Sequence, residues 1–104
     1  MFELSVRDLQ EYIGAWGDRI FPSHHESDGT PNARGPLWHL GDPEKGEVRE
    51  LMKAWEAFDH EGTAVELADC TILLFTVAHL CDVDLYKAII AKMKKNERRK
   101  WGPP

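Results

Sequence analysis

The sequence has only two cysteines, Cys70 and Cys81, and they cannot staple it. They lie eleven positions apart on what reads as one helix, so at a rise of about 1.5 Å per residue they are roughly 16 Å apart, beyond disulfide reach. Two free thiols of this kind, read as buried helix residues rather than nucleophiles, fit a reducing compartment. The opening Met-Phe-Glu-Leu-Ser-Val-Arg-Asp has neither the basic nor the apolar region of a signal peptide, so no leader is expected. The most apolar run, Ile72 to Cys81, is about half a membrane span. A cytoplasmic protein without a membrane partner is the expectation. Positive charge is scarce too: 13 Lys and Arg stand against 18 Asp and Glu, for a formal net charge of −5. That balance argues against nucleic acid or an anionic membrane as partner, since both reward a basic surface. With no internal repeat, no low-complexity segment and no alternating strand pattern, the fold class is all-α.

What is present organises into one domain over residues 1–104, whose 42% hydrophobic content can fill a single core. A helical domain this small leaves apolar surface to cover, so a homo-oligomer is expected, a dimer or a dimer of dimers. Ser5 with Asp8 forms a capping pair, and Val6, Leu9, Ile13 and Trp16 carry a first helix from Ser5 to about Asp18. From Ile20 to Gly41 the pattern fails, and three prolines and three glycines mark a loop of about twenty residues that is expected to order over a ligand. Asp42-Pro43 reads as the start of a second helix running to about Asp59 through Val48, Leu51, Met52, Trp55 and Phe58, and His60-Glu61-Gly62 as its break. Thr63 with Glu66 opens a third helix that stays apolar through Leu80. Asp82 or Asp84 opens a fourth, which ends in a basic run at Lys94 to Lys100. The count is four helices.

Charge is segregated: Asp42 to Asp69 holds nine of the 18 acidic residues, and Asp82 to Pro104 seven of the 13 basic ones. Within the acidic part, Glu47 and Glu50 stand at i, i+3 on the second helix, and Glu66 and Asp69 at i, i+3 on the third, each pair one turn apart on a common face. Two such helices packed antiparallel would converge four carboxylates, the oxygen-only donor set that Mg²⁺ or Mn²⁺ requires. Glu47 and Glu50 alone could be a solvated face, with Glu50 paired to Lys53, and Glu66 could be a capping partner. Asp69 is the informative one. On a helical wheel it falls among Val65, Ile72, Leu73 and Thr76, and no Lys or Arg lies anywhere on that helix. A carboxylate facing core needs a cation, either a residue from another helix or a metal ion.

The runs Glu47-Val-Arg-Glu50, then Glu66-Leu-Ala-Asp69 fifteen residues on, then Lys92 to Trp101-Gly resemble the MazG-like all-α nucleotide pyrophosphohydrolases over roughly Leu37 to Gly102. Trp16, Phe21-Pro22, His39-Leu40 and the Asn-x-x-Arg-x-Trp-Gly ending are similar to the phage-type members acting on dATP or dGTP. The resemblance implies a metal-dependent hydrolase that cleaves between the α and β phosphates of a nucleoside triphosphate. It makes Glu47, Glu50, Glu66 and Asp69 the metal ligands, with Glu47 or Glu50 as the base. Lys92, Asn96 and Arg99 then bind phosphate and sugar, and Trp16 stacks on the base. Where many relatives carry two adjacent glutamates this chain has Gly46 before Glu47, and Glu44 is an additional acidic residue nearby. A phosphoribosyl-nucleotide pyrophosphohydrolase shares the pattern, and an acidic helical interaction module without turnover fits the composition. His24, His25 and His39 lack the helical spacing of a zinc site.

Overall fold

A computed structural model describes residues 4–100. Five α-helices occur in this stretch, α1 Val6–Ile20, α2 Arg34–Gly41, α3 Glu47–Glu56, α4 His60–Leu80 and α5 Leu85–Arg98, with a 3₁₀ turn at Pro22–His24. No strand is present among the described residues, only one isolated bridge between His25 and Pro31. The all-α expectation holds. The count of four does not, because the stretch expected to be one long loop contains α2.

The start of α1 follows its sequence signal: Ser5 Oγ accepts from Asp8 N at 3.1 Å, and Asp8 accepts in return from Ser5 N at 3.4 Å. The boundaries of the central helices depart from theirs. Asp42 caps the C-terminus of α2 instead of opening α3, and residues 43–46 turn the chain before α3 begins at Glu47. The break after α3 falls at Ala57-Phe58-Asp59, where Phe58 takes the left-handed φ of 57°. His60-Glu61-Gly62 then forms the first turn of α4, capped by Asp59, whose Oδ1 accepts from Gly62 N at 2.9 Å. Thr63 therefore lies inside the helix, its hydroxyl donating to Asp59 O at 2.6 Å. Of the two candidates for the next start, Asp84 caps α5, accepting from Lys87 N at 3.1 Å.

The apolar α4 is the hub. It packs against α3, α1 and α2, while α5 packs on α1. By length and composition alone α4 is apolar enough to cross a membrane, but Glu66 and Asp69 interrupt it and three helices pack against it. The buried core is small: Ile13 of α1 with Cys70, Phe75, Thr76, Ala78 and Leu80 along α4 and its end. Both cysteines are free; Cys70 is buried as expected, but Cys81, at the C-cap of α4, is exposed. Many large apolar side chains stay in solvent, among them Trp38, Trp55 and Phe58 at 67%, 71% and 95% exposure.

Candidate active site

A three-residue turn joins α3 to α4, so the two helices form a hairpin whose strands of residues run apart from the same point. Glu47 is ten residues before Ala57 and Asp69 ten after Asp59, which places both about 15 Å up their helices, at one level. One carboxylate oxygen each from Glu47, Glu66 and Asp69 lies within 4.8 Å of the others. All three residues are half-buried. This is a donor set of the size and chemistry that one hard divalent ion takes.

The electrostatics of the group are unbalanced without a cation. Glu66 Oε2 is buried and has no hydrogen-bond partner. Its carboxyl is held above its ordinary range, first by burial, then by a hydrogen bond to Glu47 that only the protonated acid can make, then by the negative charges of Glu47, Asp69 and Glu50. Directly behind the group, burial and the same carboxylates push the Cys70 thiol up, which keeps it protonated and inert as a nucleophile. Glu50 stays outside the three, with its Oε1 3.3 Å from Lys53 Nζ on the exposed face.

The turn from α2 into α3 sets Glu47. Gly46 N donates to Asp42 O at 2.8 Å, and a Cβ on Gly46 would stand 2.6–2.7 Å from Asp42 N, Asp42 O and Leu40 O, all backbone atoms. Only glycine fits there, which explains why a second glutamate cannot precede Glu47 in this chain. The turn brings His39 of α2 over the start of α3, its Nε2 3.2 Å from Glu47 Oε1. Glu44 is exposed in the same turn.

Beside the carboxylates opens a cavity of about 380 Å³. Glu47, Asp69 and His39 border one end; Trp16, Phe21 and His24 wall the other; Ile72, Leu73 and Thr76 of α4 form the floor. The wall is aromatic and ordered. Phe21 meets Trp16 edge to face at 5.3 Å between centroids and stacks on His24 at 4.9 Å with 27° between planes. Backbone hydrogen bonds from Glu26 N to Thr30 O and from Asn32 N to His24 O, each 2.7 Å, hold the segment after this wall in a defined turn.

Of the residues singled out in the sequence, Glu47, Glu66, Asp69 and Trp16 meet at this place. Lys92, Asn96 and Arg99 do not line the cavity of their own chain, since α5 packs on α1. Trp38 and Trp55 are exposed away from the wall, and Trp101 lies outside the described residues. Sequence reasoning missed a buttress behind the wall: Asp18 accepts from His79 at 2.8 Å and lies 3.6 Å from His25. Asp18 and His79 are 61 positions apart, and no local pattern links them. Gly14 lies directly under the His79 ring, leaving no room for a Cβ.

No protein-family model matches the chain, and no solved structure matches it. A curated protein of Salmonella phage PMBT28, a dATP/dGTP diphosphohydrolase, is 33% identical to it over 97 residues. The match takes in 93% of this chain and 28% of that protein, so the chain spans less than a third of the length of the relative it resembles.

Proposed function

We propose that the chain is a metal-dependent hydrolase that converts a purine deoxynucleoside triphosphate, dGTP or dATP, to the monophosphate and pyrophosphate, in the manner of the MazG-like enzymes. The observation that carries this reading is the meeting of Glu47, Glu66 and Asp69 at one end of an aromatic-walled cavity, with Glu66 Oε2 buried and unpartnered. The similarity to a phage dATP/dGTP diphosphohydrolase supports it. Among the described residues no Lys or Arg lines the cavity, so a bound cation would supply the charge that neutralises the carboxylates.

The donor set fits Mg²⁺ or Mn²⁺: it is all oxygen, and its one nearby sulfur, Cys70, stays protonated. Glu47, Glu66 and Asp69 would hold the ion, with Glu50 as a fourth carboxylate one turn along α3. Such an ion supplies charge neutralisation at the phosphates and Lewis acidity. The chain's own groups do the rest. Trp16 and Phe21 present faces for a base, which points the triphosphate toward the carboxylates. Water attacks the α-phosphorus while its proton passes to a carboxylate, and the electron pair of the broken bond leaves with the β-phosphate as pyrophosphate. Glu47 is best placed to take that proton, because His39 Nε2 orients its Oε1; Glu50, the other candidate base, is engaged by Lys53. Lys92, Asn96 and Arg99 are proposed to bind phosphate and sugar in the site of a second copy, since they lie outside the cavity of their own chain.

The test is incubation with a panel of deoxynucleoside and ribonucleoside triphosphates and phosphoribosyl nucleotides, with Mg²⁺, Mn²⁺ or chelator, and chromatography of the products. Monophosphate and pyrophosphate from dGTP or dATP, lost with chelator, is the expected result. Release of inorganic phosphate alone, or no turnover and no thermal shift with metal and nucleotide, overturns it.

A further inference from the structure

The polar groups that line the cavity are nearly all committed. Glu47 and Asp69 belong to the carboxylate group, His39 is held by Glu47, and Thr76 Oγ1 donates to Ile72 O at 2.8 Å. Ser23 is exposed, and a hydroxyl that rotates freely can donate or accept, so it does not discriminate between bases. His24 remains. It stacks on Phe21 with 27° between the ring planes, and it borders the cavity.

The two nitrogens of His24 are not equivalent. Nδ1 is buried without a partner and lies over α1 at Gly17, 3.7 Å from where a Cβ of that glycine would stand, with the Thr76 methyl beside it. A buried N–H with no acceptor is costlier than a buried lone pair with no donor. The proton therefore sits on Nε2, and Nδ1 keeps its lone pair. Charging the ring would add the unsatisfied N–H as well, and burial together with His25 holds His24 neutral, against the smaller opposing pull of Asp18. The half-buried ring thus offers the cavity one fixed donor, Nε2–H, and no acceptor.

We propose that His24 is the specificity-determining residue of the site, reading the base through Nε2–H and favouring a 6-oxopurine over a 6-aminopurine. On its major-groove edge a guanine presents two acceptors, N7 and O6, whereas adenine presents N7 beside an amino group. N7 is common to both, so discrimination lies at the 6-position, where a fixed donor is satisfied by the guanine O6 and opposed by the adenine amino group. This inference rests on the proposed hydrolase reading.

The experiment compares kcat/KM for dGTP, dATP and the triphosphate of 2-aminopurine deoxyriboside, which keeps N7 and the 2-amino group of guanine but lacks O6 and the N1 proton, on the wild-type chain, His24→Phe and His24→Gln. The wild-type chain should favour dGTP over both of the others by about tenfold, the effect of one hydrogen bond. His24→Phe, which keeps the stack on Phe21 but loses the donor, should bring all three to within about twofold. His24→Gln, with a donor of similar reach, should keep most of the preference. Loss of wild-type preference, or a His24→Phe enzyme that slows on all three substrates alike, overturns the inference. If His24→Phe does not fold, the comparison of dGTP with the 2-aminopurine substrate on the wild-type chain decides it. Absence of any wild-type turnover would instead sink the hydrolase reading itself.

Discussion

Asp69 is the residue whose position in the sequence said most. It is the last Asp, Glu, Lys or Arg on α4 before the apolar run to Leu80, and in the fold it borders the cavity with Glu47. Replacing it by Asn should reduce turnover by more than about a hundredfold, since even outer-shell partners of a metal site are worth ten- to a hundredfold. Without metal, Asp69→Asn should be at least as stable as the parent, because it removes one of several charges that repel. Full activity in this variant would end the metal-site reading. Glu66 makes a prediction of opposite visibility, through pH. Its carboxyl is raised from an ordinary 4.5 in the folded chain, so the fold holds that proton more tightly than the unfolded chain does. The stabilisation is complete below the ordinary value and is lost as pH climbs through the raised one. The metal-free protein should accordingly melt at progressively lower temperature as pH rises from 4.5, and Glu66→Gln should flatten that slope. Saturating Mg²⁺ or Mn²⁺ should reverse the trend, because the ion takes the deprotonated carboxylate. A metal-free melting curve insensitive to Glu66→Gln contradicts this account.

At the scale of elements, the turn between α2 and α3 decides whether the carboxylates meet. Gly46→Ala places a methyl against three backbone atoms at 2.6–2.7 Å, and backbone cannot rotate aside as a side chain can. A loss of about 1–3 kcal/mol is expected from overpacking, with metal affinity falling as well because the start of α3, and with it Glu47 and His39, must shift. Unchanged melting and unchanged metal binding would show that the turn is not a constraint. The same region shows what the sequence could and could not tell. Ser5 with Asp8 gave the start of α1 because a capping box is local. The start of α3 was misread because Asp42-Pro43 is a good helix opening by local rules, yet Asp42 is already engaged in closing α2, and Gly46 accepts the sharp approach four residues later. By sequence the helix break reads at His60-Glu61-Gly62, whereas the left-handed residue is Phe58, an outcome no propensity favours. α2 was invisible because Gly35 and Pro36 stand in its first turn, where proline is tolerated but apolar periodicity cannot be seen over eight residues. The carboxylates were legible from i, i+3 spacing on two helices. The aromatic wall and the Asp18–His79 buttress were not, because they depend on how α1 crosses α4.

For the whole molecule, the accessible surface is 8339 Å², against about 5,900 Å² for a compact monomer of this mass, and the radius of gyration is 15.8 Å, against about 13 Å. Part of the exposed surface is apolar and patterned. Val48, Met52 and Trp55 recur at i, i+4 and i+7 on α3 and are all exposed, with Phe58 beyond them in a left-handed conformation and 95% exposed. An aromatic side chain in that backbone region is strained, and it gains nothing from solvent. Both facts are accounted for if this stripe meets a second copy, the proposed dimer or dimer of dimers. Phe58→Gly removes the strain and the contact together, so it should raise the thermal stability of dilute, dissociated protein while weakening association. Trp55→Asp should weaken association without that gain. Sedimentation velocity across a concentration series, run beside melting curves, distinguishes these effects. Turnover should fall in both variants along with the associated fraction, because Lys92, Asn96 and Arg99 are proposed to serve the site of the neighbouring copy. A parent protein that sediments as a monomer at all concentrations and is fully active would refute the shared site. The stripe would then have to be covered by something other than this chain.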